Sequence, residues 1–140
     1  MMILEGIIAN KMTFDITRAI DYAVKVHATE LEDLNTMELE KGVNMEGVSL
    51  GRYKSISYKG RLTPVDLKKT GAFHKSITVK SVKGVIELDS KDVKIGKLAL
   101  TYGDDIVGLP KQAIQSGEVG EILLESIVVD IKRQIDNAAV

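Results

Sequence analysis

Residues 63–90 read "TPVDLKKTGAFHKSITVKSVKGVIELDS", and the period of this stretch changes half-way along it. The first half is punctuation. Thr63 suits a helix N-cap, Pro64 the first helical position, where its missing N–H leaves nothing unsatisfied, and Asp66 can reach back to the start of the turn. Lys68 and Lys69 suit the negative end of such a turn, and Gly71 a left-handed C-cap. Thr70 could equally cap a second turn running through "GAFHKS". Either way a short helical corner is expected, with Leu67, Phe73 and Ile77 as its anchors in the core.

From Ile77 onward the period is two: Ile77, Val79 and Ser81 fall on one side, Thr78, Lys80 and Val82 on the other. Lys83-Gly84 follows, then Val85, Ile86 and Leu88. Two short runs joined by a two-residue turn carrying glycine predict a β-hairpin, and lysines on its outer face discourage unwanted edge pairing.

Upstream, Thr13 with Asp15 marks a helix start, and Ile16, Ile20, Ala23, Val24, His27, Leu31 and Leu34 recur at three- and four-residue steps. The spacing predicts one amphipathic helix of about five turns. His27 lies on its apolar stripe, where a hydrogen-bonded core or interface role is expected. Residues 42–62 carry Gly42, Gly47, Gly51 and Gly60 and read as a protruding loop. A long irregular segment of this kind inside a domain is often functional or interface-forming.

Downstream, "KDVKIGKLALTYG" fits a short helix closed by Gly103 or a third strand, and "DDIVGLPKQAIQSG" a loop with a turn beginning at Pro110. Val119, Ile122, Leu123, Ile127, Ile131 and Ile135 predict a second long helix. The order is helix, long loop, helical corner, small antiparallel hairpin sheet, helix: an α+β fold. No repeat, low-complexity tract or linker divides residues 1–140, which read as one domain.

A chain of 140 residues can bury roughly 70% of its unfolded surface without staples. Cysteine is absent, which excludes a disulfide framework, a thiolate metal cage and a cysteine nucleophile. The opening "MMILEGIIANK" lacks a basic region and is interrupted too early for a signal peptide. No apolar run approaches the ~20 residues of a membrane span, so no membrane partner is expected. Asp104 and Asp105 could offer oxygens to a hard cation, but after Gly103 they fit a turn better. Ser76, Thr78 and His74 are close in sequence without a third orienting group or an oxyanion site, and no phosphate-cradling loop exists. The expectation is a protein that is not an enzyme, with no catalytic residue, no metal and no cofactor.

Charge is near balance overall but segregated along the chain. Glu30, Glu32, Asp33, Glu38, Glu40 and Glu46 face only Lys41 over residues 30–46. Over 52–83, Arg52, Lys54, Lys59, Arg61, Lys68, Lys69, Lys75, Lys80 and Lys83 face only Asp66. Such blocks can pair within the fold, pair between copies, or present a basic face to nucleic acid. Tyr53, Tyr58 and Phe73 interleave the basic stretch, which gives an alternative reading as a small nucleic-acid-binding module.

"TPVDLKKTGAFHKSITV" carries Pro64, Val65, Asp66, Thr70, Gly71, Phe73, Ser76 and Ile77 in an order that resembles a "PVDTGRLRxSI" segment. That segment belongs to the virion-morphogenesis, or tail-completion and neck, proteins of tailed bacteriophages. "VIELDS", "YGDDIVGLP" and "EILLESIVVDIKRQI" follow in the succession such proteins keep. "DLNTMELEKG", "LKKTGAFHKSI" and "YGDDIVGL" look particularly like ring proteins of crAss-like gut phages. The resemblance spans residues 14–136. Here "LKK" separates Asp66 from Thr70, where the wider family runs Asp-Thr-Gly directly.

The resemblance implies a structural protein of the virion neck or tail, assembled in the host cytoplasm. It would form a homo-oligomeric ring, twelve-fold beside the portal ahead of six-fold nearer the tail tube. Its partners would be identical subunits, the portal and other neck or tail proteins, with non-specific DNA contact in the channel. Head-to-tail closure of a ring needs two complementary surfaces on each chain. The expected pairing sets Glu30, Asp33, Glu38 and Glu40 of one copy against Arg52, Lys54, Arg61 and Lys69 of the next, with the 42–62 loop reaching across.

Overall fold

The hairpin anchors the architecture. In the computed structural model, which describes residues 14–51, 65–68 and 71–139, β1 (Ile77–Val82) pairs antiparallel with β2 (Val85–Ser90). The register sets Val82 opposite Val85 and Ile77 opposite Ser90. Lys83 and Gly84 form the turn with φ of 53° and 80°. Two successive left-handed residues give the turn a twist that matches the strands. A lysine in that conformation is strained, so Lys83→Asn is expected to stabilise the fold by roughly 0.5–1 kcal/mol. An unchanged or lowered urea midpoint would contradict this.

Before the hairpin run α1 (Ile16–Val26), α2 (Ala28–Glu40) and the single turn α3 (Ala72–Ser76). After it come α4 (Ile95–Tyr102), a 3-10 turn (Asp104–Ile106), α5 (Lys111–Gln115) and α6 (Glu118–Ala139). The mixed helix and strand class is that expected, with a long helical arm at each end. Asp15 caps α1 by accepting the amides of Thr17 and Arg18. Thr13 lies outside the described residues. The N-terminal arm is broken once, at His27 (φ −108°, ψ 23°), a one-residue interruption that leaves the apolar stripe in phase.

The helical corner takes the second of the two expected forms. Residues 65–68 are not helical, Leu67 has φ 57°, and the Asp66 side chain accepts the Lys68 amide instead of capping a helix. Gly71 (φ 80°) therefore precedes helix α3 and does not close an earlier one. A glycine that can leave one turn left-handed can equally lead the chain into the next. Thr63, Pro64, Lys69 and Thr70 lie outside the described residues. The third-strand alternative, through Lys97 to Tyr102, is replaced by helix α4, closed by Gly103 at φ 91°.

The described part of the loop expected at 42–62, residues 42–51, is tied down by backbone hydrogen bonds. Val43 bridges Ser49, the Leu50 amide donates to Gly42, and the Met45 amide donates to the Asp105 carbonyl at 2.9 Å. The Met45 carbonyl accepts the Lys111 amide at 2.8 Å. These backbone bonds lay residues 42–51 over the loop between α4 and α5; residues 52–62 lie outside the description.

Two apolar clusters form the core. One joins α1, α2, α5 and α6 through Ala23, Val24, Leu31, Leu109, Ala113, Val119 and Leu123. The other gathers Leu39, Val65, Leu67, Phe73, Ile77 and Ile106 around the corner that opens the hairpin. Leu88, half-buried on the inner face of β2, packs against both.

Helices α1 and α6 run antiparallel, since Asp15 meets Gln134 at one end and His27 meets Ser126 at the other. The Gln134 side chain receives the Asp15 amide at 2.6 Å and donates to its carbonyl at 3.0 Å. Glu32 of α2 accepts the Val79 amide at 2.9 Å, which occupies an otherwise open edge of β1.

A basic cleft between α1, β1 and α6

Helical spacing brings Arg18, Asp21 and Lys25 onto one face of α1, opposite Asp130 and Arg133 of α6. Lys80 of β1 joins them, and together they wall a cleft of about 680 Å³. Both acids have internal work. Asp21 accepts the Ser81 hydroxyl and, at 3.0 Å, the Gly84 amide, which ties the tip of the hairpin to α1. Asp130 is buried and accepts the Gln134 side-chain amide at 2.8 Å.

The cations are differently placed. Arg133 sets its guanidinium 5.2 Å from the centre of the Tyr22 ring, a cation–π arrangement that fixes the side chain without neutralising it. Lys80 stands 3.9 Å from Glu87, both exposed, which is a weak pairing. Arg18, Lys25 and Arg133 make no ion pair among the described residues. The lining sets four cations, Arg18, Lys25, Lys80 and Arg133, against two carboxylates, Asp21 and Asp130, so the cleft is net positive and suits an anionic occupant.

The Ser81 hydroxyl, ahead of the Gly84 amide, holds the Asp21 carboxyl below its ordinary value of 3.8. A depressed folded-state pKa contributes stability that is complete above the unfolded value and is lost as pH falls through the folded one. Protection of the Gly84 amide from exchange should accordingly be flat at neutral pH and decline below about 4. Protection that stays constant down to pH 2, in a chain still folded, would refute the clasp.

Three other polar groupings have structural explanations. His27 places Nδ1 2.8 Å from Glu30 and Nε2 2.9 Å from the Ser126 hydroxyl, a serine–histidine–carboxylate chain. Ser126 sits inside α6, where the neighbouring backbone amides are spent on the helix and none can serve as an oxyanion donor. The chain instead locks the α1–α2 break onto α6.

His74 donates from Nε2 to the Asp66 carbonyl at 2.6 Å and holds the chain entering α3, while its Nδ1 is buried without a partner. It borders a smaller hollow of about 270 Å³ with Asp33, Glu40, Lys68 and Lys75. Asp104 and Asp105 form the 3-10 turn, and among the described residues no three His, Asp or Glu side chains converge as metal ligands.

The acidic block expected to face a neighbour is partly engaged at home. Glu40 pairs with Lys68 at 2.7 Å, Glu38 with Lys41 at 3.1 Å, and Glu30 with His27. The Lys68 hydrogen bond lowers the Glu40 carboxyl, and Glu40 in turn raises Lys68. Asp33 is exposed beside the smaller hollow. Arg52, Lys54 and Arg61, like Lys69, lie outside the described residues.

The cleft was not read from sequence. Arg18, Lys25, Lys80 and Arg133 are scattered over more than a hundred positions, and it takes the packing of both α6 and the hairpin on α1 to gather them. No protein-family model matches the chain, and neither curated proteins nor solved structures provide a match.

Proposed function

We propose that this chain is a structural subunit of a tailed-bacteriophage neck or tail. In this reading, copies close into a ring, twelve-fold ahead of six-fold, that joins portal to tail around the DNA channel. The phage assignment rests on the resemblance carried by residues 64–77 and by the order of hairpin, loop and terminal helix that follows. The observation that carries the subunit role is the apolar surface left in solvent on separate elements.

Val93, in the turn before α4, and Leu100, within it, are 97% and 91% exposed, and α4 buries none of its residues. Val82 and Val85 are cross-strand partners at the hairpin tip, at 60% and 58% exposure. Leu124 of α6 is 60% exposed. Single exposed apolar residues are ordinary, but several large ones on distinct elements suit a subunit covered by different neighbours. Two unlike surfaces are what head-to-tail closure needs. The α2 acids remain a candidate contact for Arg52, Lys54, Arg61 and Lys69 of the next copy, in competition with their own intrachain partners.

Purified particles test the reading. The chain should be present in a fixed copy number matching a ring at the head–tail junction, and its absence from particles would overturn the assignment. The cations of the cleft favour a second reading, a small nucleic-acid-binding module. It predicts that the isolated chain retains DNA and releases it steeply with salt.

A further inference from the structure

The basic cleft lies against the C-terminal half of α6, and an acidic stripe lies on the opposite half of the same helix. Glu118, Glu121 and Glu125 are exposed, follow one another at three- and four-residue steps, and make no ion pair among the described residues. Glu118 and Glu121 suit the positive end of the helix, but Glu125 is beyond its first turn. Like charges at these spacings repel one another in an isolated copy. Exposed Val128 continues the same face and Leu124 borders it, so the stripe combines negative charge with apolar surface.

Within one chain the two surfaces make no ion pair among the described residues. Glu121 and Arg133 stand twelve positions apart on one helix, roughly 18 Å along its axis, about twice the screening length at physiological salt. We infer that the cleft of Arg18, Lys25, Lys80 and Arg133 receives the Glu118–Glu125 face of α6 from a neighbouring copy. This inference rests on the ring reading and names one of its contacts.

Because acceptor and donor are different surfaces at different ends of one rigid helix, each copy gives one contact and takes one. That is the heterologous geometry from which closed rings are built. A folded acidic helix face is favoured over a nucleic-acid backbone for two reasons. The chain itself carries an unpaired complementary surface, and Arg133 already occupies one face of the Tyr22 ring on which a base would stack.

The experiment uses the full-length chain and reads its mass in solution. Arg18→Glu with Arg133→Glu should weaken self-association roughly a hundredfold, and Glu121→Lys with Glu125→Lys should do the same. Mixing the two doubly reversed proteins should restore assembly, because each then supplies the charge the other lacks. The fourfold variant that carries both reversals should assemble alone, which shows that lost assembly is not lost folding.

Wild-type association that persists unchanged in both doubly reversed proteins would overturn the contact and leave the ring reading standing. Intact assembly of the arginine-reversed protein with loss of DNA retention would also overturn it and give the cleft to phosphates. A wild-type chain that never self-associates, alone or on its particle partners, removes the ring reading itself, and the contact with it.

Discussion

Asn35→Leu is expected to cost roughly 2–5 kcal/mol of stability, because a buried carbonyl and a part-buried amide of the backbone lose their side-chain partner at once. Asn35 is fully buried on α2. Its Nδ2 donates to the Ile106 carbonyl at 3.0 Å, and its Oδ1 accepts the Gly108 amide at 3.0 Å. One amide side chain thus satisfies both polarities of the loop between α4 and α5. That loop in turn carries the 42–51 turn through the Asp105 carbonyl. Leucine fills the space but pairs with neither group. Chemical denaturation should show the loss, and amide exchange should show it first at Gly108 and Met45. Thr36→Ala, next along the same helix, removes only a bond to the Asp33 carbonyl and should stay within about 0.5 kcal/mol. Equal effects at the two positions would show that the loop is not held this way.

Phe73→Ala should cost roughly 3–5 kcal/mol, the range for emptying a buried aromatic site. Phe73 is 5% exposed and packs in the cluster with Leu39, Val65, Leu67, Ile77 and Ile106. Its loss opens a cavity where α3 turns into β1, so the hairpin loses its footing on α2. Leu88 touches both clusters, and unfolding should therefore remain a single transition with a lower midpoint. A variant that unfolds in two steps would show that the clusters are separate units. A variant with an unchanged midpoint would show that the corner is not an anchor.

The opening stretch shows where sequence was sufficient. The switch to a two-residue period at Ile77 and the Lys83-Gly84 turn are local signals, and the register follows from them. The corner before it was ambiguous because Gly71 can end one turn or begin another, and only the packing of Leu67 and Phe73 chooses. Likewise the break at His27 leaves the apolar stripe in phase, so periodicity cannot register it.

Asn35 did carry a readable signal. It stands midway between Leu31 and Leu39 at four-residue steps, and a polar residue on that buried ladder asks for buried partners. The cleft had no such signal. Its cations come from α1, β1 and α6, only Lys80 among them belongs to the basic block at 52–83, and another member of that block, Lys68, is paired with Glu40.

The association proposed is head-to-tail contact of identical chains through charged and apolar surfaces. It is tested most directly by the mass of the purified chain as salt is raised, measured alone and on the portal and tail assemblies of its particles. Ring closure should give a single closed multiple at low salt, near twelve copies, that dissociates as ions screen the cleft and the acidic stripe. A monomer insensitive to salt in every setting would contradict it.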